Sequence, residues 1–365
     1  MKIILAGGGT GGHIFPLLVL AQAWQKKNFE ILYSGPILPW EREILEKERI
    51  RYKKILSGKW RRWPSFWNII DLFKIFIGFW QAFFIFLFNR PRFLFVKGGW
   101  GCIPSVFAAF VLAIPIFNHE SDVVMGVANR FASRFARKVF LGFPQQFYIN
   151  IPTNKAIYSG IPVREDFFTL SKETAKNKVG LTFDKPVLVI FGGSQGSKTI
   201  NCFIKEELEK YLTNFQVVHV CGQGNSSQLF EVKNKLPNLA KDYHIFEFYQ
   251  DMPSLLKAAD IVVSRAGATS LAEIAAAGRA AIIIPFPWAA ADHQRKNALI
   301  FQKANAAIIL NEKDLTAEKF LSIIENLAKD QEKMKQFSNN VKTLATPFAA
   351  QKITGEIEGY FNERH

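Results

Sequence analysis

Cysteine is scarce in this chain of 365 residues. It occurs three times, at Cys102, Cys202 and Cys221, and no Cys-x-x-Cys pair is present. An odd number of widely spaced thiols cannot form a complete disulfide framework, and the spacing does not fit a zinc site. We therefore expect reduced cysteines in a cytoplasmic protein, with neither disulfides nor thiolate-bound metal.

The start of the chain lacks the long apolar stretch of a secretory signal. The first predicted strand begins at Lys2 and reaches a glycine loop within a few residues, so we expect no signal peptide. With 49% hydrophobic and 21% charged residues, the chain should fold and not remain disordered. Its length suits two domains better than one.

Acidic residues are few relative to basic ones. Lys and Arg number 46 against 31 Asp and Glu, which gives a net charge of +15. This charge indicates an anionic partner, and nucleic acid, anionic lipid and a phosphorylated substrate all qualify.

Aromatic residues are abundant and concentrate between residues 60 and 88. Residues 75–88 carry no charge, yet this run is shorter than the roughly 20 residues that span a membrane. Entry tryptophans and flanking arginines favour a helix docked on an anionic membrane surface over a helix buried against the first sheet. We expect no nucleic-acid partner, because these aromatics lie in an aliphatic run and not on a basic sheet face. The residues expected at the membrane are Arg61, Arg62, Trp63, Trp67, Phe76, Phe79, Trp80 and Phe83.

Apolar strand-like runs alternate with helical segments in both halves, which predicts α/β architecture with parallel sheets. Residues 159–164 and the polar stretch 171–178 are the expected hinge. Strands are predicted near 2–6, 29–34, 51–56, 93–96, 114–117, 138–141, 187–191, 216–220, 243–247, 260–264 and 281–284. Helices are predicted to begin near 14, 41, 66, 104, 124, 197, 252, 268 and 292.

The same motif occurs at the start of each half. A buried strand runs into the glycine turn GGGTGGH at 7–13, and another runs into GGSQG at 192–196. A strand, a glycine turn and a helix direct backbone N–H groups at an anion, usually a phosphate. A structural turn capped by His13 is the alternative for the first copy. An NAD site is disfavoured, because the second strand ends in residues 33–36 without an acidic residue.

Two further segments suggest a phosphorylated ligand. The glycine cluster at 97–104 should lie on the same sheet edge as the first loop, where two loops can hold two phosphates. In Ser264–Glu273 a strand leads into a helix start that suits a diphosphate, and Glu273 could accept hydrogen bonds from a ribose diol. The alternatives are an ordinary loop at 97–104 and a Glu273 that only complements the helix dipole.

These motifs in this order resemble the MurG family, the peptidoglycan glycosyltransferases that convert lipid I to lipid II. The resemblance runs from Gly7 to about Gln302. It is carried by GGGTGGH (7–13), GG-x-x-x-x-P (98–104), His-Glu (119–120), Asn-Arg (129–130), G-x-PVR (160–164), GGSQG (192–196), Asp-Met (251–252), R-x-GA (265–268), EIAAAG (273–278) and D-x-Q-x-x-NA (292–298).

The resemblance implies a GT-B fold, with two Rossmann-like domains whose parallel sheets face a central cleft. Residues 1–160 would bind the acceptor and the membrane, residues 161–345 would bind UDP-GlcNAc, and residues 346–365 would form a helix packing back on the first domain. The enzyme would move N-acetylglucosamine from UDP-GlcNAc to the muramyl 4-hydroxyl of undecaprenyl-linked lipid I, with inversion. It would lie peripherally on the cytoplasmic face of the plasma membrane.

The resemblance also implies roles for individual residues. The donor and its sugar would contact Arg164, Ser194, Tyr249, Gly267, Ala268, Thr269, Ser270, Glu273, Gln294 and Asn297. The reaction centre and acceptor would contact Thr10, Gly11, Gly12, His13 and Asp122, and the acceptor diphosphate would contact Gly9, Gly11, Gly98 and Gly99. We expect no cofactor and no metal, and the absence of any Asp-x-Asp pair in the chain agrees with this expectation.

One departure from the family affects the acceptor side. The family's usual His-Glu-Gln-Asn is His119-Glu120-Ser121-Asp122 here, so an amide that can donate becomes a carboxylate that cannot. His13 is our hypothesis for the base that deprotonates the acceptor, and His119 and Asp122 are its rivals.

Other activities stay open at this point. One is a glycolipid synthase with another lipid acceptor, and another is an isomerase similar to UDP-GlcNAc 2-epimerase. A basic protein that only binds nucleic acid or membrane is the non-enzyme alternative.

Overall fold

A computed structural model describes residues 1–58, 65–148, 151, 154–193 and 195–363. The predicted sites at Arg61, Arg62, Trp63 and Ser194 lie outside the described residues. The chain divides into two compact units. Unit 1 comprises residues 1–163 and 348–365, and unit 2 comprises residues 164–347.

Unit 1 is built on a seven-stranded parallel sheet in the order β3-β2-β1-β4-β5-β6-β7. Its strands are β1 (Lys2–Ala6), β2 (Glu30–Gly35), β3 (Arg51–Lys54), β4 (Leu94–Val96), β5 (Ile116–Glu120), β6 (Lys138–Leu141) and β7 (Ala156–Tyr158). Its helices are α1 (Gly11–Gln25), α2 (Pro39–Lys47), α3 (Phe66–Asn89), α4 (Ile103–Val111), α5 (Val127–Phe135) and, at the end of the chain, α16 (Ala349–Asn362).

The central strand β1 shows why this sheet is covered on both faces. Side chains alternate between the faces of a strand, so Ile3 and Leu5 join one apolar cluster while Ile4 and Ala6 join the other. The first cluster contains α1 and α16, and the second contains α3 and α4. A strand buried on both faces needs an unbroken apolar sequence, which is the pattern in the chain.

The aromatic segment forms a single helix, α3. Asp71, Gly78, Ala82 and Phe86 lie on its buried side, and a Cβ at Gly78 would collide with a backbone carbonyl of the preceding loop. The helix extends through Asp71 and its ion-pair partner Lys74. Among the described residues it is the one helix long and apolar enough to cross a membrane, by length and composition only.

Unit 2 is built on a six-stranded parallel sheet in the order β10-β9-β8-β11-β12-β13. Its strands are β8 (Val187–Phe191), β9 (Gln216–Val220), β10 (Tyr243–Phe246), β11 (Ile261–Ser264), β12 (Ala280–Ile283) and β13 (Ile308–Ile309). Its helices are α6 (Asp166–Thr169), α7 (Lys172–Val179), α8 (Lys198–Glu206), α9 (Leu208–Asn214), α10 (Ser227–Asn234), α11 (Met252–Ala258), α12 (Ala268–Ala277), α13 (His293–Lys303), α14 (Ala317–Lys329) and α15 (Gln331–Lys342).

Most predicted strands appear within a few residues of their predicted positions, and the parallel α/β prediction is confirmed. The edge strands β7 and β13 were not predicted. The stretch 171–178, expected in the hinge, is helix α7, capped by the Ser171 side chain and packed against α11. A polar sequence with a good N-cap forms a helix when one side has a partner to pack on.

The last helix, α16, belongs to unit 1. Ile353 and Ile357 enter the apolar cluster on the α1 side of the sheet. Lys138 pairs with Glu356 at 2.8 Å, and Lys27 pairs with Glu358 at 2.6 Å. The chain therefore returns to its first unit after completing the second.

Candidate active site

The first glycine loop follows β1 and leads into α1. Gly8 and Gly9 have positive φ values of 110° and 90°, a conformation that favours glycine. The helix begins at Gly11, and the Thr10 hydroxyl and His13 Nδ1 are 2.8 Å apart. This hydrogen bond fixes the orientation of an imidazole that is partly exposed.

One backbone N–H of this loop is already bonded. The Gly9 N–H donates to Glu41 at 2.7 Å, and the Leu38 N–H donates to the same carboxylate at 2.9 Å. The Glu41 side chain is buried, and burial raises its pKa. Gly9 was expected to bind the acceptor diphosphate, but in this structure its amide holds the loop on α2.

The second glycine loop lies beside the first. Gly98 and Gly99 have positive φ values of 92° and 77°. A Cβ at Gly98 would meet the Asn129 amide at 2.7 Å, and one at Gly99 would lie 3.8 Å from the His13 ring. The strands that precede the two loops, β1 and β4, pair in parallel with Ala6 beside Val96, so the prediction that both loops share one sheet edge is correct.

His119 does not have the surroundings of a general base. It is 0% exposed, and its Nε2 lies 2.9 Å from the carbonyl oxygen of Gly160. Burial, and then the charge of Lys97, lowers its pKa well below the ordinary value. The structure therefore places His119 in the core beside a backbone carbonyl, and these surroundings favour His13 over His119 as the base.

Next to His119, Glu120 organises the turn that carries Asp122. Its carboxylate accepts from the Asn129 amide at 2.9 Å and from the N–H groups of Asp122 and Gly126 at 2.9 and 2.8 Å. Burial, followed by the charge of Asp122, raises the Glu120 pKa above its ordinary value. The Asp122 side chain itself is partly exposed and close enough to His13 to affect its titration.

His13 stays neutral at neutral pH in these surroundings. Burial, and then Lys97, lowers its pKa to about 4, against an opposing effect of Asp122. A neutral imidazole can accept a proton, which is what a general base requires. Lys97 was not predicted as a site residue. The sequence did contain a signal for this role, since Lys97 is a charged residue directly after the apolar strand in the segment 93–97.

In unit 2, the glycine loop after β8 precedes α8. Gly193 and Gly196 have positive φ values of 87° and 72°. Ser197 caps α8 by accepting from the Ile200 N–H at 3.4 Å. The loop has the strand–turn–helix form that the sequence predicted.

The helix start at Gly267 matches the prediction in position. Helix α12 begins at Ala268, and its N-cap is a glycine, which offers no side chain to the first-turn amides. The predicted residues Thr269 and Ser270 lie in that turn and are partly exposed. Such a helix start suits an anion.

Glu273 lies farther along the same helix and is 8% exposed. Burial raises its pKa to about 7, although the positive charge of Arg164 opposes this rise. Arg164 donates from Nη1 to the Gln250 carbonyl at 2.8 Å, which orients its guanidinium. The predicted contact Tyr249 is partly exposed and packs edge-on against Phe246.

Gln294 and Asn297 form hydrogen bonds with the backbone of nearby loops in this structure. The Gln294 Oε1 accepts from the N–H groups of Ala266 and Phe286 at 3.2 and 2.9 Å. Asn297 is 0% exposed, and its Nδ2 donates to the Ala266 carbonyl at 3.1 Å. The resemblance to the family implies that both residues contact the donor sugar, and in this structure the Asn297 side chain is bonded to the backbone just before α12.

Arg265 is a buried residue that the prediction did not assign to a role. It donates to Ser197 Oγ at 2.7 Å and pairs with Glu312 at 2.5 Å. Because Ser197 caps α8 and Arg265 precedes α12, this residue ties the two predicted phosphate-binding helix starts of unit 2 together. No group of three His, Cys, Asp or Glu side chains that could hold a metal ion occurs within the described parts of the chain.

Comparison with known proteins gives consistent matches over both units. The model of the glycosyltransferase family 28 N-terminal domain matches residues 3–141, and that of the C-terminal domain matches residues 187–353. The solved structure of MurG from Acinetobacter baumannii superposes with a TM-score of 0.72 at 25% identity, covering 98% of this chain and 99% of that one. Together with the two parallel-sheet units, these matches define a glycosyltransferase with the GT-B fold.

The relatives identify the family within that class. A Clostridium kluyveri protein named UDP-N-acetylglucosamine–N-acetylmuramyl-(pentapeptide) pyrophosphoryl-undecaprenol N-acetylglucosamine transferase is 37% identical over 98% of this chain and 99% of its own length. The chain belongs to this family, the MurG transferases, as its motifs indicated. UDP-GlcNAc 2-epimerase from Neisseria meningitidis, solved with UDP-GlcNAc, shares the fold at a TM-score of 0.69 and 16% identity.

Proposed function

We propose that this enzyme transfers N-acetylglucosamine from UDP-GlcNAc to the 4-hydroxyl of the muramyl sugar of lipid I, which gives lipid II. The observation that carries the proposal is the 37% identity to a named transferase of that specificity over nearly the full length of both chains. A fragmentary match would support only a nucleotide-sugar fold.

The chemical step is a direct displacement with inversion at the anomeric carbon. The acceptor oxygen forms the new glycosidic bond while the bond from the anomeric carbon to the diphosphate breaks and UDP leaves. The proton of the acceptor hydroxyl passes to His13, whose Nδ1 is held by Thr10. Asp122 is the remaining rival for this role, since His119 is buried and bonded.

Unit 2 binds the donor in this proposal. The helix starts at Ser197 and Gly267 offer backbone N–H groups to the diphosphate, and Arg164 adds a positive charge. Glu273 accepts hydrogen bonds from the ribose diol when its carboxyl group is ionised. Negative charge that develops on the leaving diphosphate is then stabilised by fixed dipoles and the guanidinium, and we propose that neither a metal ion nor a cofactor takes part.

The exposed face of α3 supports a peripheral position on the membrane. Phe76 is 60% exposed and Trp80 is 43% exposed, whereas the predicted contacts Phe79 and Phe83 are half-buried against the core. The exposed set on this helix also includes Phe66, Trp67, Phe73, Phe84, Leu87 and Phe88. A contiguous apolar surface of this kind marks an interaction site, and we propose that it docks on the cytoplasmic face of the plasma membrane beside lipid I.

The likeness to UDP-GlcNAc 2-epimerase concerns the fold alone at 16% identity. An isomerase needs neither a lipid-linked acceptor nor a membrane surface. Incubation with UDP-GlcNAc alone separates the two activities, because an epimerase changes the sugar without an acceptor.

The test of the proposal is transfer of labelled N-acetylglucosamine to lipid I in detergent, with lipid II and released UDP as products. Stoichiometric formation of both is the expected result. A well-folded enzyme that makes no lipid II overturns the proposal. A lipid acceptor other than lipid I, used faster, would redirect it to another glycolipid synthase.

The role of His13 is tested in the same assay. His13→Ala should lower kcat by roughly 100-fold or more, as loss of a general base does, while UDP binding stays within about twofold. His244→Ala, at a half-buried histidine on the edge strand β10, is the matched control. An unchanged kcat in His13→Ala transfers the role of base to Asp122.

Membrane docking is tested by sedimentation with phosphatidylglycerol vesicles. Phe76→Ser with Trp80→Ser should weaken vesicle binding by roughly tenfold or more, since each side chain loses apolar burial. Phe348→Ser removes an exposed phenylalanine on another part of unit 1 and should leave binding unchanged. Equal loss in both variants contradicts the assignment of α3.

A further inference from the structure

Lys97 is a lysine buried within unit 1. It follows the last residue of β4 and is 1% exposed. Its Nζ donates a short hydrogen bond to Ser121 Oγ, and the Ser121 side chain is buried as well. An ammonium group taken out of water costs several kcal/mol unless other groups compensate it, so the groups around Lys97 should show what it does.

Two carboxylates supply that compensation. Glu120 and Asp122 both favour the charged form of Lys97, while burial lowers its pKa to about 8. Glu120 is already bonded by three N–H donors, so it is fixed in place. The other titratable groups of this cluster are His13 and His119, which Lys97 influences, and Tyr148, which lies near both carboxylates.

Lys97 acts on two consecutive residues of one turn. Ser121 accepts the hydrogen bond from Lys97. Asp122 follows Ser121 directly, and its negative charge favours the ammonium form of Lys97. The hydrogen bond to Ser121 therefore holds the ammonium group near the residue that carries this charge.

We propose that Lys97 is a positioning residue that works jointly with Asp122, since its ammonium anchors the turn at Ser121 and balances the Asp122 carboxylate beside His13. This inference rests on the proposed function. It assigns Lys97 to the acceptor side of the reaction, where its positive charge offsets the negative charge of Asp122.

Lys97 and Asp122 have opposite electrostatic effects on His13. Lys97 disfavours the imidazolium form of His13, and Asp122 favours it. Removal of either one leaves an unbalanced charge beside the base and the acceptor. Removal of both leaves the site without either charge, and this predicts mutual rescue.

A double-mutant cycle tests the pair. Lys97→Met and Asp122→Asn should each lower the transfer rate by roughly tenfold or more, and the double variant should recover most of that loss, because coupled residues are not additive. NMR titration of the His13 imidazole should show an upward pKa shift of about half a unit or more in Lys97→Met and a downward shift in Asp122→Asn.

The controls separate this inference from the proposed function. Lys176→Met removes another buried lysine, in unit 2, and should change neither the His13 titration nor the acceptor KM. If Lys97→Met does not fold, Asp122→Asn alone must still move the His13 pKa downward. Additive losses in the cycle, or shifts of the same sign, overturn the role of Lys97, whereas a wild-type enzyme without lipid II synthesis overturns the proposed function and leaves the titration result standing.

Discussion

Replacement of Glu273 by glutamine should stabilise the enzyme and weaken donor binding together. The carboxyl group is 8% exposed on helix α12, where burial raises its pKa from 4.5 to about 7. Glutamine has nearly the same shape and carries no charge. The substitution therefore removes the cost of a buried carboxylate along with the strong acceptor for a ribose diol.

The size of the stabilisation follows from the pKa shift of Glu273. The rise from 4.5 to about 7 corresponds to about 3 kcal/mol of destabilisation once the group is ionised in both states. The folded state holds the proton more tightly than the unfolded state. The destabilisation is therefore absent below pH 4.5, grows as pH rises from 4.5 to about 7, and is complete above pH 7. For a domain of this size, about 3 kcal/mol moves the Tm by roughly 6 to 12 °C.

Thermal unfolding of wild type and Glu273→Gln across pH 4.5 to 8.5 measures this difference. The variant should match wild type at the acid end and exceed it increasingly up to pH 7. Its UDP Kd should rise by roughly 10- to 100-fold, since a hydrogen bond to a charged group contributes about 1.5 to 3 kcal/mol. Wild-type UDP binding should strengthen as pH rises through 7, while that of the variant should not.

Glu231→Gln, at an exposed position on α10, is the control and should follow the wild-type curve. The reasoning is refuted if the Tm difference between Glu273→Gln and wild type does not grow with pH. A UDP Kd that is unchanged by the substitution refutes the ribose contact separately.

Three further outcomes are expected. Arg265→Met leaves the Glu312 carboxylate without its buried cation, so urea denaturation should show a loss of about 3 kcal/mol, which Glu312→Gln in the same chain should partly restore. Glu41→Ala releases the Gly9 N–H from α2 and should raise the acceptor KM, with UDP affinity unchanged by isothermal titration. The kcat at saturating donor should hold from neutral pH towards pH 5 and fall near pH 4, where the imidazole of His13 takes up a proton; a fall near pH 6.5 would contradict the lowered pKa.

The regular parts of the fold were readable from the sequence. Buried parallel strands need continuous apolar runs, and the runs at residues 2–6, 187–191 and 216–220 predicted their strands to the residue. The edge strands β7 and β13 escaped prediction, since they are only three and two residues long and too short to show an apolar pattern. Helix α7 was missed for a related reason, because its sequence is polar and its stability comes from packing against α11.

The candidate site was predictable in its motifs and less so in its contacts. Glycine turns and helix starts are local features, so the loops at residues 7–13, 98–104, 192–196 and 267–273 could be located directly. Which residues touch a ligand depends on burial. His119 and Asn297 share the site motifs, yet both are 0% exposed and bonded to backbone carbonyls.

The sequence by itself determined the α/β class, the order of the motifs and, through them, the MurG family. Only the tertiary structure decided the charge environment of those motifs. It placed Lys97 against Ser121 and Glu41 against Gly9, and it showed which aromatic residues of α3 face outward. The physical reason is that desolvation and charge pairing depend on distances between residues far apart in the chain, whereas turns and apolar periodicity are set by neighbours in sequence.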